Sequence, residues 1–98
     1  MAVTQLTRWT GGNRDAVVAL GKQAKAIFEK VGGEYRVGQI HTGPHAGQWV
    51  TSVRYPDWET YGKAMHALAS DTAAQKLMVD ALATAQLADR AIIAGIDL

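Results

Sequence analysis

Three histidines, His41, His45 and His66, carry the side chain best suited to exchanging a proton near neutral pH or to binding a metal. His41 stands near the end of a stretch with strand character, and His66 lies one position off the apolar stripe of a helical stretch. These two are the candidate catalytic residues, the plain alternative being a polar boundary position facing solvent. His45 falls in a Gly-Pro turn and is expected to be exposed. A metal site needs several converging ligands, and neither an H-E-x-x-H motif nor a carboxylate–histidine pair at helical spacing is present. No metal and no cofactor is expected. Without cysteine the chain has neither a thiolate nucleophile nor a disulfide framework, and Ser52 and Ser70 lack the glycines of a nucleophile elbow.

A second group of residues could hold a ligand. Trp49 and Tyr55 are candidates to line a pocket for a flat aromatic molecule, with Gln5, Gln39 and Arg54 offering hydrogen bonds at its rim and Trp58 a further contact. The alternative is packing, in which Trp9, Trp49 and Trp58 fill the core or an interface. Arg8 and Arg54 could bind a carboxylate or enolate bidentately, although Asp57 and Glu59 would serve equally as structural partners. Gly11-Gly12-Asn13 opens a helix but has neither the length nor the lysine of a phosphate loop, so it reads as a turn.

The elements that must position these residues follow from periodicity. Residues 2–10 read as a strand, with Val3, Gln5, Thr7 and Trp9 on one face and Thr4, Leu6 and Arg8 on the other. Asn13 caps a helix over 14–31, whose apolar positions recur every three or four residues from Val17 to Val31, and Gly32-Gly33 end it. EYRVGQIHT and QWVTSVRYP form a hairpin across TGPHAG, with His41 opposite Trp49 and Val37, Gln39, Thr51, Val53 and Tyr55 continuing that face. Asp57 caps a helix beginning at Trp58, and Ser70-Asp71 mark a bend or restart within the helical region. The closing run DRAIIAGIDL suits an internal strand.

The order β-α-β-β-α-β predicts an α+β ferredoxin-like sandwich with a four-stranded antiparallel sheet, one domain over residues 1–98. Its helices cover one side of the sheet. The face of Trp49, Thr51, Val53 and Tyr55 is expected to be the open one, closed by a second copy, so a glutamate at Thr51 or Val53 should break a homodimer. Charged residues make up 19%, below the roughly 25% of average soluble proteins, which also favours self-association. A net charge of +1 gives no field for nucleic acid, and no run is long enough to cross a membrane. The cytoplasm is the expected compartment.

The segment GQWVTSVRYPDWETYGKAMHALASDTAAQKL resembles the part of NIPSNAP-like and antibiotic-biosynthesis-monooxygenase-like domains where a strand with an internal Trp runs into a helix and a Ser-Asp break. The chain as a whole resembles the dimeric α/β-barrel superfamily. That resemblance implies two ferredoxin-like chains joined through their open sheet faces. It also implies a range of chemistries, from cofactor-free oxygenases and isomerases to haem-degrading monooxygenases, beside domains without known activity. The haem-degrading branch uses an Asn in the first strand, a Trp and a helical His; here Gln5 and Thr7 stand in that strand, with Trp58 and His66 in the corresponding region. The anthrone-oxygenase branch uses Asn, Trp and Tyr, and the only asparagine here, Asn13, lies in a loop. The leading expectation is a homodimer that binds a small apolar or aromatic molecule. The alternatives are a cofactor-free monooxygenase or isomerase acting on an enolisable aromatic substrate, and a structural module without catalysis.

Overall fold

Each helix begins at a side chain that satisfies its free N–H groups. Asn13 Oδ1 accepts from the Ala16 N–H at 2.9 Å and opens α1, Arg14–Lys30. Asp57 Oδ1 accepts from the Thr60 N–H at 2.7 Å and opens α2, Trp58–Ala69. Asp71 Oδ1 accepts from the N–H groups of Ala73 and Ala74 at 2.8 and 3.2 Å and opens α3, Thr72–Thr84. The expected restart is therefore a true helix boundary. At the end of α1, Gly32 adopts φ +89° and the Gly33 N–H returns to the Phe28 carbonyl at 2.9 Å.

A computed structural model describes residues 1–98. Four strands, β1 (Val3–Thr10), β2 (Glu34–Gln39), β3 (Trp49–Tyr55) and β4 (Gln86–Ala94), form one sheet in the order β2-β3-β1-β4. All three pairings are antiparallel. With the helices on one side, this is the expected α+β ferredoxin-like layer structure. The sheet is open, with β2 and β4 as its edges. No helix is long and apolar enough to cross a membrane.

Three features differ from the sequence expectations. The face of Val53 and Tyr55 is covered by the helices: these two and Ala64 form the core, with Phe28, Val31, Tyr35, Tyr61 and Met65 packed around them. Alternation separates the two faces of a strand but does not say which one meets the helices, and the more apolar face has gone inward. The open face is the other one, carrying Leu6, Arg8, Val50, Ser52, Arg54, Ala91 and Ile93.

Next, the hairpin ladder ends with Gln39 opposite Trp49, two residues earlier than the His41–Trp49 pairing expected, and Ile40 N–H donates to the Gln48 carbonyl at 2.8 Å to close it. Finally, β4 is an edge strand rather than an internal one, and all its residues but Leu87 are exposed. Its run of apolar residues on both faces pairs with β1 on one side only. It also carries a bulge: Arg8 faces Asp89 but Trp9 faces Leu87, leaving Ala88 as the extra residue. Through that insertion Leu87 and Arg90, three apart, both lie on the helix-covered side.

Candidate functional site

The core fills only one end of the space between sheet and helices. The other end holds a cavity of about 410 Å³ that opens to solvent on one side. That volume lies in the range of small-molecule sites, roughly 300–1,000 Å³. Its floor is the sheet, with Gln5, Thr7 and Trp9 from β1 and Trp49, Thr51 and Val53 from β3. Its roof comes from all three helices, including Leu20 and Ala24 of α1, Leu68 of α2 and Ala81 of α3. Sixteen of the 23 lining residues are apolar, so the wall is predominantly apolar.

The polar groups of the floor are mostly committed to holding it rigid. Trp9 and Trp49 are direct ladder partners. Trp9 Nε1 donates to Thr51 Oγ1 at 3.0 Å, and Trp49 Nε1 donates to the Gly11 carbonyl at 3.1 Å, so both rings are fixed at their polar ends. Tyr35 stacks on Phe28 with ring centroids 5.7 Å apart, and burial pushes its hydroxyl above the ordinary tyrosine range. Arg90 enters from β4 and donates from Nε to Thr7 Oγ1 at 3.1 Å. The wall contains no histidine and no carboxylate. Its ionisable side chains are Tyr35 and Arg90, neither of which is a proton acceptor near neutral pH.

Of the residues singled out in the sequence, Gln5 and Trp49 lie in this wall. His41 is exposed in the loop after β2, and His66 is exposed in the last turn of α2, next to Met65, which does reach the cavity. Gln39 is exposed at the end of β2, where Nε2 donates to the Gly47 carbonyl at 3.2 Å. Arg54 is exposed on the open face, paired in register with Thr4 and Glu34. Tyr55 is fully buried in the core. Trp58 is half exposed at the start of α2, its ring edge-on to Tyr61 at 5.8 Å. The cavity thus gathers two of the eight and leaves the other six outside it.

Three further lining residues, Thr7, Trp9 and Arg90, were not among the sequence candidates for a pocket. Trp9 and Thr7 did carry a signal, sharing a period-two face with Gln5. Arg90 was hidden inside a run read as an apolar strand, and its orientation depends on the bulge at Ala88.

No protein-family model and no curated protein matches the sequence. Solved structures do share the fold. A NIPSNAP domain protein from Burkholderia xenovorans superposes with a TM-score of 0.76 at 15% identity, over 98% of this chain and 95% of that one. SnoaB, a cofactor-independent oxygenase from Streptomyces nogalater, gives 0.71 at 13% identity, over 99% and 95%. A candidate antibiotic biosynthesis monooxygenase from Chloroflexus aurantiacus gives 0.67 at 15% identity, over 99% and 95%. The chain therefore has the ferredoxin-like fold of NIPSNAP-like and antibiotic-biosynthesis-monooxygenase-like proteins, and at such identities the likeness is one of fold.

Proposed function

We propose that this protein binds a small apolar or aromatic molecule in the cavity between its sheet and its helices, as one protomer of a homodimer that builds an α/β barrel through the open sheet faces. The observation that carries this reading is the hollow itself: about 410 Å³, mostly apolar, floored by two tryptophans held in place by hydrogen bonds. A structural module would be expected to fill that space, since interiors pack as densely as organic crystals. The dimer is supported by the apolar residues on the uncovered face, among them Leu6, Val50 and Ile93, the last 50% exposed.

Isothermal titration with a neutral aromatic probe, 2-naphthamide, tests the site. Saturable binding at one molecule per chain is expected, together with its loss in Leu20→Trp, a variant that fills the roof and should still melt cooperatively. Undiminished binding in a folded Leu20→Trp variant would place the probe elsewhere and defeat the assignment.

A second reading is supported by SnoaB, a cofactor-independent oxygenase of the same fold. In this reading the cavity would hold an enolisable aromatic substrate while it reacts with dioxygen. Such a reaction needs a proton acceptor, and the wall has none that works near neutral pH. His41 and His66 would have to act from outside the cavity. Their alanine variants test this: loss of turnover with unchanged melting would assign a catalytic role to the residue concerned.

A further inference from the structure

On the reading that the cavity is the binding site, we infer that its ligand carries an oxyanion, a carboxylate or an enolate or phenolate oxygen, bound by Arg90 together with Gln5. A guanidinium at the edge of an apolar cavity, held in place and engaged in no ion pair, is available to an anionic group of a ligand. The wall has no carboxylate, and Arg90 has no acidic partner within ion-pair distance. Its sequence neighbour Asp89 lies on the opposite face of the sheet, where it pairs with Arg8. Arg90 uses Nε on Thr7 Oγ1 at 3.1 Å, which fixes the guanidinium plane and leaves both terminal NH2 groups as donors.

Gln5 is the natural second contact. It faces Ile92 in the ladder where Thr7 faces Arg90, so Gln5 and Arg90 are diagonal neighbours on the same face. Such positions lie about 7–8 Å apart at the backbone, within reach of one shared group for two long side chains. Thr84 spends its hydroxyl proton on the Asp80 carbonyl, whereas the Gln5 side-chain amide has no partner within the chain. Arg90 is also exposed, which puts it at the mouth of the cavity. An amphipathic ligand fits this layout, with its apolar body inside and its charged oxygen at the rim.

Titration with two probes of matched shape, 2-naphthoate and 2-naphthamide, tests the inference on the wild-type chain and on Arg90→Met. The carboxylate is expected to bind the wild type at least about tenfold more tightly, about 1.4 kcal/mol, than the amide. Arg90→Met should bring the two within about twofold while amide affinity holds, and added salt should weaken only the carboxylate. Gln5→Leu should reduce the preference severalfold. Equal binding of both probes to the wild type, or a preference that survives in Arg90→Met, would overturn the anion site while leaving the cavity as a site for neutral ligands. Failure of both probes to bind the wild type would overturn the two readings together.

Discussion

Arg90 Nε donates to Thr7 Oγ1 at 3.1 Å, and the two residues face each other directly across the β1–β4 ladder. The bond joins an exposed side chain of an edge strand to a side chain only 4% exposed on an inner strand. It therefore sets where the guanidinium can point. Thr7→Val keeps the shape and removes the acceptor. This variant should lose part of the preference for 2-naphthoate, severalfold, with stability changed by no more than about 1.5 kcal/mol. Probe titrations and thermal melts decide it, and a fully retained preference would show that Thr7 does not position Arg90.

On the open face, Leu6 lies between Ser52 of β3 and Ala91 of β4, and Val50 faces Arg8. If that face joins two copies, Leu6→Glu or Val50→Glu puts a carboxylate against a dry surface. Sedimentation should then move from twice the 10.5 kDa chain mass to the single chain. Val53→Glu should instead unfold the chain, because Val53 is packed in the core under the helices, while Thr51→Glu points into the cavity and should leave the oligomer unchanged. A wild-type protein that sediments as a monomer at high concentration would remove the dimer.

Two glycines separate space from strain. A Cβ at Gly21, within α1, would sit 3.5 Å from Val37 Cγ1 and 3.9 Å from Tyr35 Cε1, ordinary contact distances. Gly21→Ala should therefore stabilise by about 0.5–1 kcal/mol through helix propensity. A Cβ at Gly33 would come within 2.5 Å of Val53 Cγ1 and 3.1 Å of Tyr55 Cε1, where the chain passes tightly over the core. Gly33→Ala should destabilise by about 1–3 kcal/mol. Denaturant midpoints of the two variants should move in opposite directions.

The hydroxyl of Tyr55 is buried with no hydrogen-bond partner in the chain. Burial, reinforced by the neighbouring Tyr61, pushes it up to about 12 from an ordinary 10.0. The folded state thus keeps a proton that the unfolded chain releases. Its contribution to stability is complete below about pH 10 and is lost as pH rises toward 12. Tyr55→Phe should raise stability at neutral pH by about 1–3 kcal/mol and flatten the alkaline decline. Thermal melts across the alkaline range provide the comparison, and a destabilised Phe variant would mean that the hydroxyl is satisfied after all.

The fold was legible wherever a local cause sets the structure. Asn13, Asp57 and Asp71 announce the three helix starts because capping needs only a short polar side chain before an amphipathic run. Gly32 and Gly33 announce an end for the same kind of reason. The site was legible only in part. Gln5 and Trp49, chosen from residue type and alternation, do line the cavity, but the face of β3 lies on the other side from the one expected because its direction is decided by packing against distant helices. Arg90 escaped because one inserted residue, Ala88, decides which way it points, and no residue type marks that bulge. His41 looked closer to Trp49 than it is, since the loop of the hairpin takes up residues that alternation alone would add to the strands.

The placement of β4 bears on how the molecule comes into being. The Thr7–Arg90 bond joins positions 83 residues apart. β1 precedes β4 in the chain, and one of its two sides has nothing to pair with in this sheet until Gln86–Ala94 has been made. Closing so long a loop has an entropic cost that no local contact offsets in advance, and such pairings slow folding. Until then the nascent chain holds an unpaired inner strand and a floor without its cation. The proposed ligand-binding site is consequently completed only once Val3–Thr10 and Gln86–Ala94 have paired, and a ligand would favour chains in which they have.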